Sequence, residues 1–331
     1  MKDVRGLQSQ LSTEVKKKMP GHSLAVCPIC ASDEPMLRLR APDRFHMRTE
    51  VYELMECRQC SFVWLDNMPA LEEMAYHYGA DYHRAVTASG ETKLLKRWRP
   101  TRDKVLKMGR GDSLLDVGCS SGGFLRTLRD GPWKLYGIEI SPDEARRAGE
   151  SSGAEVFVGT VLDAQFAPQS FDVITAFHFL EHAHKLKEVV GKMWEWLKPG
   201  GIVYIQVPNI EGVEAHIFKS YWYGLELPRH LWHFSPASLR ELFLAAPFEE
   251  VFVGTTPDCY VEKSMHYLLD NAFAKAGISR TPLAALNGSA GISRRLIRKA
   301  MRLSVLWPFR QASVAAGRGA GIDAVFRKTT L

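Results

Sequence analysis

"LLDVGCSSGGFL", residues 114–125, is an apolar run that closes on an acid and then breaks into small residues. A buried strand ends in this way where a ligand is to lie against bare backbone. Spacing excludes the two commonest ligands of such loops. A dinucleotide fingerprint needs G-x-G-x-x-G, whereas Gly118, Gly122 and Gly123 are set G-x-x-x-G-G. A phosphate loop needs Lys and then Ser or Thr after its last glycine, and Phe124 stands there.

Outward from this loop, short apolar runs alternate with amphipathic ones, the pattern of a parallel α/β sheet. "SLLDVG" (113–118), "KLYGIEI" (134–140), "AEVFVG" (154–159), "FDVITAFHF" (171–179), "IVYIQVP" (202–208), "EEVFVGTT" (249–256) and "GIDAVFRK" (321–328) read as seven strands. "GGFLRTLRD" is expected to open a helix directly after the loop. A second helix starts at Ser141 as N-cap, with Pro142 in the first turn and Glu144 completing a capping box. "KLKEVVGKMWEWL" is a helix stopped by "KPGG", whose Pro199 and Gly200 suit a type II turn. Ser235 and Pro236 begin another helix. Residues 91–109 read as helices that cap the sheet edge.

The 331 residues, 46% hydrophobic and 24% charged, describe a globular chain with one large domain plus appendages. The first 20 residues are polar and do not read as a signal peptide, and no run approaches the length of a membrane span. A cytoplasmic chain is expected. The net charge of +6 is unevenly spread. Between Val261 and Ala320 stand ten Lys or Arg against Glu262 and Asp270, a local +8 that leaves the remainder at −2.

Four of the six cysteines form two knuckles, Cys27 with Cys30 and Cys57 with Cys60. In a reducing compartment this spacing reads as a closed tetrahedral zinc site of four thiolates that folds a small ribbon. His22 and His46 read as surface residues. Cys119 and Cys259 read as structural.

In an open α/β sheet, ligands sit at the carboxyl ends of strands where the strand order reverses. Three acids fall at such ends: Asp116, Glu139 and Asp163. Glu139 is placed to accept both hydroxyls of a ribose, and Asp163 lies where an adenine amino group is held. Asp116 can order the glycine loop or meet an ammonium group. Acid-rich walls without a basic partner suit a cationic, phosphate-free nucleoside better than NAD or ATP. S-adenosylmethionine (SAM) is such a molecule.

"LLDVGCSSGGFL", "GIEIS", "FDVITAFHFLEH", "LKPGG" and "PN", in this order, resemble a class I SAM-dependent methyltransferase of the ubiquinone O-methyltransferase type. The resemblance covers about residues 92–257 and the final strand. It implies a Rossmann-like seven-stranded, mostly parallel sheet with helices on both faces. It also implies that Asp116, Gly118, Ser120 and Gly122 line the methionine part and sugar of SAM. Glu139 then matches the ribose acid, and Leu162 and Asp163 the adenine neighbours. Ser120 replaces the middle glycine of the family's D-x-G-x-G-x-G. "ELPRHLWHFSPASLREL", with the cysteine module in front, resembles a bacterial subset associated with cell-surface sugars and secondary metabolites.

SAM supplies its own electrophile, so the protein must align the acceptor and remove a proton from it. Candidate bases cluster at the end of the fourth strand as His178, Glu181 and His182, and His230 and His233 add to them on a segment that reads as a substrate-facing lid. The string H-x-x-E-H also fits an inverted zinc-protease motif, but that chemistry needs both histidines on one helix and here a strand end intervenes. In ubiquinone-type relatives an acid and a histidine at "LEH" are linked to a divalent metal, and His178 stands where those relatives carry a further acid.

The chain thus divides into a polar segment (1–20), a zinc-ribbon-like module (21–66), a helical linker (67–110), a SAM-binding core (111–260), a basic helical insert (261–318) and a final core strand (319–331). The insert reads as a helix over the sheet edge, as an interfacial helix on anionic lipid, or as an RNA footprint. The expected activity is methylation of a hydroxyl on a small-molecule or glycan acceptor, lipid-linked in the membrane version. A zinc-ribbon RNA methyltransferase and a non-catalytic SAM-binding protein are the alternatives.

Overall fold

The computed structural model describes residues 24–78, 91–258, 260–275 and 306–330. A hairpin of Pro35–Pro42 (β1) and Val51–Cys57 (β2) is followed by the short strand Val63–Leu65 (β3). Helix Glu91–Met108 (α1) leads into Ser113–Val117 (β4) and Lys134–Glu139 (β5). Next come helix Pro142–Ser152 (α2), Glu155–Val158 (β6), Phe171–Phe177 (β7), helix Leu186–Trp196 (α3) and Leu197–Pro208 (β8). Helix Val213–Phe218 (α4), strand Trp232–His233 (β9), helix Pro236–Leu244 (α5) and Phe248–Thr256 (β10) follow. The described chain ends with helices Val261–Lys275 (α6) and Trp307–Ala315 (α7) and strand Gly321–Lys328 (β11).

Seven strands form one sheet in the order β10-β11-β8-β7-β4-β5-β6. β4 pairs in parallel with both β5 and β7, so the strand order reverses at β4 and opens a crevice above its carboxyl end. β11 is antiparallel to both of its neighbours, β8 and β10. Leu114, Leu115 and Val117 are fully buried because both faces of β4 are covered. Leu115 and Val117 belong to the core on one face, together with Ile174 and Ile205. Leu114 belongs to the other, with Val173, Tyr204 and Val325.

Local chemistry accounts for where elements begin. The Ser141 hydroxyl accepts the Glu144 amide at the start of α2. The expected reciprocal half of that capping box is missing, because the Glu144 carboxylate takes Arg147 at 3.0 Å instead. Ser235 caps α5, with Pro236 in its first turn. Gly200 lies at φ +77, the left-handed value that the third position of a type II turn requires.

Two elements depart from the expectation. The segment after the glycine loop makes only a 3₁₀ turn, Leu125–Leu128, where a helix was expected. Gly122 and Gly123 give a helix nucleus little support, and Phe124 is held sideways against Trp98 and Phe177. Residues 91–108 form one continuous helix, α1, that carries Pro100 within it.

The cysteine module is not a free-standing bead. Its sheet has the order β1-β2-β3-β9, and β9 is supplied by the loop between α4 and α5 of the large domain. Val63 pairs with His233 and Trp64 with Trp232. One hydrophobic core runs from Leu54 and Trp64 of the module through Leu115 and Ile174 to Phe326. Most of the basic insert, including Arg294, Arg295, Arg298, Lys299 and Arg302, lies outside the described residues, as does Cys259. Among the described residues, no helix is long and apolar enough to cross a membrane.

Candidate functional site

The loop after β4 climbs through three left-handed residues at alternate positions, Gly118 (φ +73), Ser120 (φ +47) and Gly122 (φ +77). Ser120 therefore holds a left-handed backbone, the conformation that glycine adopts most readily. The two glycines are also needed for space. A Cβ on Gly122 would stand 2.8 Å from the Ala148 Cα of α2, and one on Gly118 would meet the Phe179 ring at 2.8 Å. Cys119 is buried beneath the loop, and its sulfur fills the place where Gly137 lacks a side chain.

Glu139, at the carboxyl end of β5, faces this loop. Its Oε2 accepts the Ser120 amide and its Oε1 the Ser141 amide, both at 2.9 Å. The carboxylate is thus fixed by two backbone donors, and each oxygen retains a lone pair for a further donor. Ile140 beside it is 60% exposed, an apolar surface of the kind an adenine ring covers. Nothing in the sequence pattern had singled out Ile140; an apolar residue exposed just past a buried strand is the signal.

Asp116 points from β4 into the sheet and receives a hydrogen bond from Thr175 Oγ1 at 2.7 Å. Burial, with Glu139 nearby and only Thr175 opposing, pushes its carboxyl up to about 7. A cationic ligand would provide the counter-charge that the protein withholds. Asp163 stands apart. It is exposed, and its Oδ2 accepts both the amide and the hydroxyl of Thr160, closing a turn beyond β6. Leu162 is half-buried against the core. The cradle, its fixed acid and its unbalanced Asp116 fit a phosphate-free cationic nucleoside, which is what SAM is.

At the end of β7 the histidines separate. His178 sits at φ +53, strained for a residue with a side chain, and that side chain is one-third exposed. Its Nδ1 lies 3.3 Å from Oε1 of Glu181, whose own side chain is 1% exposed. Burial disfavours the imidazolium, but Glu181 outweighs it and raises the His178 pKa. His182 is driven the other way: burial, with His230 at 4.7 Å between ring centres, lowers its pKa to about 4. Its Nδ1 lies 2.9 Å from the Tyr78 hydroxyl and 3.0 Å from the Arg229 carbonyl. His230 and His233 were expected on a lid. Both are buried, at 5% and 3% exposure, because they belong to the segment that β9 stitches to β3. Donor atoms of Glu181, His182 and His230 lie within 4.8 Å of one another, a set of the right composition for a divalent cation.

The four cysteines converge as their spacing requires. The sulfurs of Cys27 and Cys60, and those of Cys30 and Cys57, are 3.5 Å apart, and all four lie within 4.8 Å. A tetrahedron with Zn–S bonds of ~2.3 Å has edges of ~3.8 Å. Without a metal the thiols split: the amides of Cys60 and Gln59 outweigh burial and bring Cys57 down to about 7, while burial pushes Cys27 up to about 11 and raises Cys60 as well, so it is the identity and spacing of the donors that count. The donors therefore fit zinc, which would close the two knuckles on each other and do no chemistry.

A family model described as a methyltransferase domain matches residues 57–251, more than half of the chain. The chain belongs to this family, and with this sheet and loop it is a class I SAM-dependent methyltransferase. Among curated relatives, 24-methylenesterol C-methyltransferase 2 of Oryza sativa is 34% identical over 30% of this chain and 29% of its own length. The ubiquinone biosynthesis O-methyltransferase of Idiomarina loihiensis is 26% identical over 50% of this chain and 74% of its own length. The match thus spans less than a third of the rice protein. A SAM-dependent methyltransferase structure from Archaeoglobus fulgidus superposes with a TM-score of 0.48 at 16% identity, over 73% of this chain and 96% of that one.

Proposed function

We propose that this chain methylates a hydroxyl of a small-molecule or glycan acceptor, with His178 as general base. The observation that carries this reading is the pairing of partly exposed His178 with buried Glu181 at the end of β7, beside the glycine loop. SAM supplies a methyl group on a sulfonium that departs as a neutral thioether. Glu139 would hold the sugar hydroxyls, and the loop of Gly118, Ser120 and Gly122 would line the rest. Glu181, 3.3 Å from Nδ1, would orient His178 and leave its Nε2 to take the proton of the acceptor hydroxyl. His182, kept neutral by burial, orients rather than titrates. The name of the Idiomarina relative supports an oxygen acceptor. The +8 charge of residues 261–320 supports a lipid-linked acceptor at an anionic cytoplasmic membrane face, tested by co-sedimentation with anionic against neutral vesicles.

Calorimetric titration with SAM, its demethylated product and NAD tests the cofactor. Micromolar binding of the first two and none of NAD is expected; no SAM binding by folded protein defeats the reading. Transfer of labelled methyl to a panel of sugar and phenolic hydroxyls tests the chemistry. In that assay His178→Ala is expected to lose at least a hundredfold in transfer while its affinity for SAM stays within twofold. Unchanged transfer removes His178 from the role.

A further inference from the structure

The segment 226–234 is tied on one side to the cysteine module and on the other to the turn that carries Glu181 and His182. On the catalytic side, the Leu231 amide donates to the Glu181 carbonyl at 2.7 Å, and the Trp232 indole donates to the Ala183 carbonyl at 2.5 Å. On the module side, the Leu65 amide donates to the Leu231 carbonyl at 2.8 Å, beside the β3–β9 pairing. Between the two lies Arg229, fully buried.

The Arg229 guanidinium forks onto the Asp43 carboxylate of the module, Nη1 to Oδ2 and Nη2 to Oδ1, each at 3.2 Å. Asp43 is itself fully buried. Its Oδ1 also accepts the amides of Phe45 and His46, and its Oδ2 lies 3.0 Å from His46 Nδ1. Arg229 Nη1 donates to the His77 carbonyl at 3.0 Å. A buried fork of this kind, whose remaining donors are taken by the His77 carbonyl and by Glu226 at 3.4 Å, fixes the backbone that bears it. The carbonyl so fixed is the one that meets His182 Nδ1. A carbonyl only accepts, and the Tyr78 hydroxyl that shares Nδ1 can accept as well, so the carbonyl contact puts the imidazole proton on Nδ1 and leaves Nε2 as the acceptor nitrogen.

We propose that Asp43 and Arg229 form a positioning pair, through which the cysteine module sets the tautomer of His182 and holds the acceptor-side wall of the site. The module is thereby a working part of the methyltransferase and not an appended binding domain. The inference rests on the reading of the β7 end as the acceptor side, but its test does not depend on finding the acceptor.

The test compares full-length zinc-loaded wild type with Asp43→Asn, which keeps size and removes charge. Four quantities are measured: zinc content, SAM affinity, amide hydrogen exchange, and the ¹⁵N resonances of the His182 ring. Zinc and SAM affinity are expected to stay within twofold of wild type. Exchange across 181–183 and 226–234 is expected to rise at least tenfold while 113–141 stays protected. The protonated ring nitrogen of His182 is expected to shift from Nδ1 toward Nε2. Unchanged exchange and an unchanged tautomer overturn the proposal. If Asp43→Asn loses protection everywhere, His46→Ala, which removes one partner of the pair at a partly exposed position, gives the decisive result: a smaller change of the same pattern supports the pair, and none overturns it. Failure of wild type to bind SAM would defeat the proposed function alone and leave the exchange and tautomer results standing.

Discussion

Asp116 shows how one carboxylate can act against the free protein and for the complex. Its carboxyl is raised to about 7, against an ordinary value of 3.8, because burial leaves it with Thr175 alone and Glu139 adds repulsion. A raised acid binds more protons folded than unfolded, so its contribution to stability is full below about pH 4 and is lost as pH rises through about 7. Asp116→Asn is therefore expected to stabilise the ligand-free protein at pH 8, by on the order of 2 kcal/mol, read as a higher Tm. The same variant should bind SAM at least tenfold more weakly. In wild type, SAM affinity should be level above about pH 7 and fall as pH drops below it, a slope that Asp116→Asn lacks in calorimetry across that range. A wild-type affinity independent of pH would show that Asp116 does not face the ligand's charge. Asp116 and Glu139 were legible in the sequence because each closes an apolar strand. Which histidine keeps its proton was not, since that depends on Glu181, Tyr78 and Arg229, which the fold gathers from distant stretches. Asp163 shows the opposite limit: an acid after a strand can simply close its own turn.

Among the elements, α2 approaches the glycine loop so closely that one methyl group decides the contact. Gly122 combines a left-handed backbone with an Ala148 Cα that would lie 2.8 Å from any Cβ, whereas Gly153, at the end of α2, is left-handed with open space around it. Gly153→Ala is expected to cost about 1 kcal/mol for conformation alone. Gly122→Ala should cost roughly 2–4 kcal/mol and weaken SAM binding as well, because α2 must move away from the loop. Denaturant unfolding of the two variants separates these effects; equal losses would mean that the loop yields and α2 does not. All seven strands of the large sheet could be read from alternating patterns and turn residues. The helix expected after the loop could not be corrected from sequence, since packing of Phe124 between Trp98 and Phe177 overrides local preference there. β9 was illegible for a similar reason: two residues carry no periodicity, and only the partner strand makes them a strand.

At the scale of the whole molecule, module and sheet are expected to unfold together. They share β9 and one continuous core, so removing the zinc ligands should reach the large domain. Wild type is expected to carry one equivalent of zinc, and Cys57→Ser to lose it and to lower Tm by at least 5 °C in a single transition, followed by circular dichroism and by tryptophan fluorescence. Two separate transitions would show the module to be independent. The paired C-x-x-C knuckles announced the four-thiol cluster from sequence alone, because each knuckle's geometry depends on local spacing. They did not announce that the module completes its sheet with a strand from 167 residues beyond β3, counted from Leu65 to Trp232.

The position of β11 also sets a timetable for the nascent chain. It is the last strand along the sequence, yet it lies between β8 and β10. While residues up to Thr256 are emerging from the ribosome, β8 presents an unpaired apolar edge and β10 has no strand to join. Only when residues 321–328 arrive can both gaps close at once. Throughout translation of the insert the incomplete sheet would thus leave that edge open, and the open edge, more than the finished fold, is where a chaperone would find its grip.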